Sequence, residues 1–282
     1  MLTPLYPLHY EPLLRAALAE DLGTAGDLTS DAIVPPRATA RAAVVARAPG
    51  RVAGVGVATA AFPLLDREVD VRIAVDDGAD VAAGTVLALV AGPARAVLSA
   101  ERVALNLLGR MCGVATATAA LVAAIAGHHA RIVPTRKTTP GLRALERYAV
   151  RAGGGADHRF GLHDGILIKD NHILVAGGIT TAVERARDHA GHMVVIEVEV
   201  DTLDQLDEAL GLGVDAVLLD NMRPAILAQA VARVDGAAVT EASGGIDLTT
   251  VRDIAATGVD LISTGWITHS APALDVALDF AA

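Results

Sequence analysis

The sequence predicts an α/β protein in two parts, a small mixed α+β domain followed by a shortened parallel β/α barrel. Three observations carry this. Before Met111, short Val- and Ala-rich runs are punctuated by Gly and Pro. After it, apolar runs alternate with helical stretches, and each run ends in polar or charged residues. The chain has 282 residues, is 52% hydrophobic and has a mean hydropathy of +0.45, enough for one or two domains with a sizeable core.

In the first part, Glu11–Glu20 reads as a short helix with Leu13, Leu14, Ala17 and Leu18 on one side, followed by a loop from Asp21 to Pro36. Strands are expected over Ala42–Ala46, Val52–Val57, Val69–Val75 and Val86–Val90, with a helix around Phe62. Ser99–Arg110 has helical spacing at Val103, Ala104, Leu107 and Leu108. Met111–Ala130 contains no Asp, Glu, Lys or Arg, which raises the question of a membrane span. Its wealth of Ala, Thr and His fits a buried helix better, and no membrane is expected.

In the second part, Ile132–Val133 leads to Thr135-Arg136-Lys137, and Ile166–Ile168 to Lys169-Asp170-Asn171-His172. Val194–Val200 carries Glu197 and Glu199, and Val217–Leu219 ends at Asp220-Asn221. Val239 leads to Glu241-Ala242-Ser243-Gly244-Gly245, and Leu261–Ile262 to Ser263-Thr264-Gly265. The interval is that of one β-α unit. Six strands are counted where a complete barrel needs eight, hence a shortened one. Gly54 and Gly56 lack the third glycine of a dinucleotide fingerprint, and Gly153–Gly155 lacks the Lys-Ser/Thr of a phosphate loop.

A net charge of −10, from 33 acidic and 23 basic side chains, excludes nucleic acid as the main partner, and 2% aromatics leave little for base stacking. The single cysteine, Cys112, excludes a disulfide framework and fits a reducing cytoplasm. Met1–Tyr10 has no basic residue before an apolar core and does not read as a signal peptide.

Strand ends and their loops supply Arg136, Lys137, His158, Arg159, Lys169 and His172 as cations or donors, with Glu199 and Asp220 as carboxylates. Arg forks and Lys point charges clamp carboxylates and phosphates. Acids in a cationic pocket suit a hard divalent ion, most simply Mg²⁺ shared with a phosphorylated substrate. Gly244, Gly245 and Gly265 let backbone N–H groups approach a phosphate. Glu197 and Glu199 share a strand face, and burying both requires nearby cations. Arg143, Glu146, Arg147 and Arg151 at helical spacing read as a solvated face, and Cys112 as a small buried residue. A Schiff-base lyase with Lys169 as nucleophile is a rival class.

The stretch Thr135–Gly141, Gly153–Gly155, His158-Arg159 and Leu167–His172 closely resembles the quinolinate phosphoribosyltransferases. The likeness extends through Glu20–Gly23, Gly26–Ser30, Glu101-Arg102, Glu197–Val200, Leu219–Met222, Glu241–Gly245 and Thr268–Ser270, in order along nearly the whole chain. It implies transfer of phosphoribosyl from phosphoribosyl pyrophosphate to quinolinate, giving nicotinate mononucleotide, pyrophosphate and CO₂, with Mg²⁺. It also implies an N-terminal α/β open-faced sandwich over residues 1–111, with 270–282 packing back on it, and an incomplete α/β barrel over 112–269. The family works as a homodimer. By position, Arg102, Arg136, His158, Arg159 and Lys169 would hold the quinolinate carboxylates. Lys137, Glu199 and Asp220 would serve phosphoribosyl pyrophosphate and its metal, and Ser243, Gly244, Gly265 and His269 its 5′-phosphate. Lys137, Lys169, Glu199 and Asp220 form the implied catalytic set.

The chain departs from the family pattern at Pro134 (usually Asp), Asp157 (usually Asn) and Cys112 (usually Ser). These changes bear on substrate preference. They leave a paralogue acting on another pyridine carboxylate, or a silent anion-binding protein, as alternatives.

Overall fold

The computed structural model describes residues 2–280. In its first unit (Met1–Ala119, Thr138–Gly154 and Ile267–Ala282), five strands come from the N-terminal part: β1 Thr39–Ala46, β2 Gly50–Arg51, β3 Asp70–Ile73, β4 Asp80–Val81 and β5 Val86–Pro93. The C-terminal strand Val276–Phe280 pairs antiparallel with β1, giving the four-stranded order C-terminal strand, β1, β5, β3. One face of this sheet meets Leu14, Leu18, Phe62 and the helix residues Val97, Leu105 and Leu108 in a common core with Val44, Leu87 and Val90. The alternate side chains Arg72 and Leu89 are exposed, so the sheet is covered on one side.

The apolar run Val52–Val57 is not a strand. The chain leaves β2 after Arg51 and enters a helix, Val55–Thr59, through Gly54 at φ +77°. Asp77 Oδ1 accepts the Val55 N–H at 3.1 Å, and a Cβ on Gly54 would lie 2.3 Å from Met111 Sδ. An apolar run this short cannot by periodicity separate strand from buried helix, and the left-handed glycine decides it.

Helix Ala94–Ala124 absorbs both the Ser99–Arg110 periodicity and the uncharged stretch after it, so residues 111 and 112 lie inside one helix. By length and composition alone it could cross a membrane, but Val103, Leu108, Met111, Val114 and Leu121 are buried. Cys112 is buried too, and burial pushes its thiol up to about 12, which leaves it inert near neutrality.

Helix Arg143–Ala152 corrects another expectation. Its charged residues share a face, but Glu146 and Arg147 are buried rather than solvated. Glu146 turns inward because Arg110 and Thr139 supply donors to its carboxylate.

The second unit (Ala120–Lys137 and Gly155–Trp266) holds β6 Arg131–Pro134, β7 Ile166–Ile168, β8 Ile196–Val200, β9 Ala216–Asp220, β10 Val239–Ser243 and β11 Leu261–Thr264. All neighbours are parallel, in the order β6-β11-β10-β9-β8-β7. This is the cyclic order of a barrel in which β6 and β7 are left as edges. Pro134 sits on the edge strand β6, where its missing N–H costs no ladder bond on the open side. Helices Ile179–His189, Leu203–Gly211, Pro224–Val234 and Val251–Ala255 make the crossovers. Thr202 starts one of them through a capping box with Gln205.

Candidate active site

Strand register gathers the polar side chains. Glu199 on β8 and Glu241 on β10 both stand level with Leu218 on β9, and Ser243 stands level with Asp220. Side chains alternate along strands, so Glu197, Glu199, Asp220, Glu241 and Ser243 share one face of the sheet.

Two clusters form on that face. In the first, Lys169 follows β7 and opens helix Asp170–Ala176, its N–H donating to His172 Nδ1 at 2.9 Å. Its ammonium is ion-paired with Glu199, which is buried, while the lysine side chain remains 45% exposed. Asp220 is close by. Burial and then the charge of Glu199 hold its carboxyl above the usual range, with Asp201 adding to the effect and Lys169 opposing it. Asn221, at φ 53°, donates through Nδ2 to Asp220 Oδ2 at 2.5 Å and through its N–H to the Ser243 carbonyl at 2.9 Å. A Cβ on Gly244, at φ +100°, would lie 2.1 Å from Asn221 Oδ1. The glycine is therefore required by the turn that orders Asp220, and it leaves backbone exposed beside Ser243.

The second cluster comes from the long connection between β6 and β7. Ala156 N–H donates to the Ile132 carbonyl at 2.8 Å, returning the chain to β6 just before His158. His158 Nε2 lies 3.1 Å from Glu241 Oε2 and 3.5 Å from Glu197 Oε2, all three residues having little exposed surface. The contact with Glu241 has an ion-pair distance, yet its Oε2 makes no hydrogen bond of acceptable alignment, so this buried oxygen relies on the ring's charge. Burial alone would lower the His158 pKa, but the two glutamates outweigh it and push it up to about 10. Burial raises Glu197, against the pull of His158 and Arg159. Arg159 donates through Nη1 to the Gly165 carbonyl at 3.2 Å. Burial and the nearby charge of Arg136 lower its pKa, which places those two guanidinium groups within electrostatic reach of each other. Asp164 accepts the N–H groups of Phe160 and Gly161 and so closes the loop carrying Arg159.

Lys137 is exposed at the end of β6, its N–H donating to Thr135 Oγ1 at 3.0 Å. Gly265 follows β11, beside Thr264, whose hydroxyl donates to the Ile246 carbonyl at 2.9 Å. Arg102 and His269 belong to the first unit. Arg102 lies on helix Ala94–Ala124 with its side chain 64% exposed, 3.8 Å from Glu101, and His269 has a ring nitrogen 2.6 Å from Ser270 Oγ. Sequence reasoning missed Glu197 and Glu241 as partners of His158. Their signal was present in the alternation of β8 and in the acid that begins the Glu241–Gly245 turn.

The model of the quinolinate phosphoribosyl transferase N-terminal domain matches residues 27–112, and that of the C-terminal domain matches residues 114–279. The chain belongs to the quinolinate phosphoribosyltransferase family. It is similar to the probable nicotinate-nucleotide pyrophosphorylase (carboxylating) of Bacillus subtilis (strain 168), at 46% identity over 96% of this chain and 93% of that one. The corresponding Mycobacterium leprae protein is 44% identical, over 94% and 95% of the two chains. The crystal structure of NadC from Streptococcus pyogenes superposes with a TM-score of 0.94 at 38% identity, covering 99% of this chain and 100% of that one. For a quinolinate phosphoribosyltransferase, the barrel-type parallel sheet and the one-sided antiparallel sheet are the architecture that the sequence motifs imply.

Proposed function

We propose that this chain is a quinolinate phosphoribosyltransferase, transferring phosphoribosyl from phosphoribosyl pyrophosphate to quinolinate with loss of CO₂ in NAD biosynthesis. The observation that carries the reading is the pair of clusters at one sheet face, one in which His158, Arg159 and Arg136 outnumber Glu197 and Glu241, and one in which Glu199 and Asp220 outnumber Lys169. A dicarboxylate suits the first, with Arg136, His158, Arg159 and Lys169 as its carboxylate donors, and the exposed Arg102 is assigned by the family resemblance to the partner subunit's site.

Glu199 and Asp220 fit a hard divalent cation. The Asp220 carboxyl is raised by burial and by the charge of Glu199, a strain that a cation between them would relieve, and both groups offer oxygen. Mg²⁺ held there, directly or through water, would neutralise the pyrophosphate leaving group. The side chains do the rest. Glu199 and Asp220 present negative charge toward the anomeric carbon as positive charge builds there, and Lys137 meets phosphate. Gly244, Gly265, Ser243 and His269 are the assigned partners of the 5′-phosphate. The pyridine nitrogen is the nucleophile, so the protein's task is to hold two anions in reacting geometry. An amine paired with Glu199 is a poor carbonyl nucleophile, which counts against a Schiff-base lyase at Lys169. We further infer a homodimer and a cytoplasmic setting, the latter in keeping with one buried, unpaired cysteine.

The test is direct. Purified protein given quinolinate, phosphoribosyl pyrophosphate and Mg²⁺ should form nicotinate mononucleotide and equimolar CO₂. Nucleotide formation without CO₂, or no product at all, would overturn the reading.

A further inference from the structure

We propose that Arg110 and Glu146 are positioning residues for phosphoribosyl pyrophosphate, a largely buried ion pair that ties Thr139, two residues past Lys137 in the sequence, to the segment that contains His269. The proposal rests on the functional reading above.

Glu146 is fully buried (0% exposed) on helix Arg143–Ala152. Its Oε1 accepts from Arg110 Nε at 3.0 Å, Arg110 Nη2 at 2.7 Å and the Thr139 hydroxyl at 2.8 Å. Its Oε2 accepts the Thr139 N–H at 3.1 Å. Arg110 in turn donates through Nη1 to the Ala271 carbonyl at 3.0 Å and through Nη2 to the Thr268 carbonyl. Arg143 Nε adds a bond to the Thr138 hydroxyl at 3.0 Å. In the sequence, Thr138 and Thr139 directly follow Lys137, and Thr268 and Ala271 bracket His269. The ion pair thus ends, on one side, on the segment next to Lys137 and, on the other, on the segment that contains His269.

A purely structural role explains this poorly. Burying Glu146 and most of Arg110 (21% exposed) costs desolvation that their attraction only repays in good geometry, and a well-packed apolar pair fills such space at least as stably. What an apolar pair cannot supply is directed bonds to a threonine N–H and hydroxyl on one segment and to two carbonyls on another. One tethered segment contains His269 and the other directly follows Lys137 in the sequence, both residues assigned to the phosphorylated substrate, so loosening them should weaken that substrate selectively.

The experiment compares wild type with Thr139→Val, Thr139→Ser and Glu146→Gln, measuring KM for each substrate, direct binding of phosphoribosyl pyrophosphate by titration calorimetry, and melting temperature. Thr139→Val removes one bond to Glu146 and leaves the ion pair whole. It should weaken phosphoribosyl pyrophosphate about three- to tenfold in both KM and Kd, with KM for quinolinate changed less than about twofold. Thr139→Ser should restore wild-type values, and Glu146→Gln should exceed the Val variant. If Glu146→Gln does not fold, the Thr139 pair alone decides. Equal KM changes for both substrates, or unchanged phosphoribosyl pyrophosphate binding in folded Thr139→Val, would overturn the proposal. An inactive wild type that still binds phosphoribosyl pyrophosphate removes the functional reading but leaves this comparison decisive, while a wild type that does not bind it removes both.

Discussion

His158 faces Glu241 on β10 and Glu197 on β8, with Arg159 beside it in its own loop, and this arrangement couples folding to pH. In the unfolded chain a histidine titrates near 6.5, whereas here the glutamates push it up to about 10. Between those values the folded protein binds a proton that the unfolded chain does not. The stabilisation is therefore complete below about pH 6.5 and is lost as pH rises through the folded value. At ~1.4 kcal/mol per unit, the gap sets a ceiling of roughly 5 kcal/mol. Two features lower it. The Arg159 N–H points at His158 Nδ1 from 2.7 Å, so a second ring proton displaces a hydrogen bond worth about 1 kcal/mol. Burial also raises Glu197, which weakens its share of the attraction. Roughly 2–4 kcal/mol remains. Urea unfolding of wild type and His158→Asn at pH 6.5, 8 and 9.5 measures it. Wild type should lose most of that amount across the range, and the variant, weaker at pH 6.5, should close most of the gap by pH 9.5. Groups outside the His158, Glu197 and Glu241 cluster titrate alike in both proteins and cancel, while loss of the pull of His158 raises Glu197 further in the variant. Parallel pH dependences would refute the charged ring and leave the neutral tautomer that the Arg159 bond favours.

Three further outcomes follow from the same geometry. Glu199→Ala and Asp220→Ala should each abolish turnover while circular dichroism and melting remain near wild type, and activity untouched by EDTA would contradict the cation. Asp157→Asn should lower KM for quinolinate by no more than about fivefold, because Asp157 is exposed and a solvated charge is worth about 1 kcal/mol or less. A larger change would place that side chain against the bound carboxylates. Arg102→Ala and Lys169→Ala should each be inactive, but refolded together they should recover about a quarter of wild-type activity if Arg102 serves the partner subunit's site. Mass-verified mixed dimers without activity would place Arg102 elsewhere.

The barrel was legible because buried parallel strands write themselves as apolar runs ending in polar residues, and all six expected runs, from Ile132–Val133 to Leu261–Ile262, lie within or overlap observed strands. The first unit was harder to read. Val52–Val57 has the composition of a strand, and only the left-handed Gly54 and its Asp77 contact turn it into a helix. On helix Arg143–Ala152 the spacing revealed a charged face but not its direction, because the donors that draw Glu146 inward come from Arg110 and Thr139. At the site, Lys169, Glu199 and Asp220 were legible as strand-end residues. The pairing of His158 with Glu241 was not, since it depends on how the β6–β7 connection folds back toward β10.

The most direct test of a site built for two carboxylates is the ratio of kcat/KM for quinolinate and nicotinate as acceptors, with phosphoribosyl pyrophosphate saturating. Nicotinate lacks one carboxylate and would leave part of the Arg136, His158, Arg159 and Lys169 set without its substrate partner, the exposed Arg136 and the 45% exposed Lys169 at less cost than the half-buried His158 and Arg159. Quinolinate should be preferred by at least about tenfold, from the loss of a charge-assisted hydrogen bond worth roughly 1.5–3 kcal/mol. Equal kcat/KM for the two acids would contradict the assignment of those four residues to a dicarboxylate.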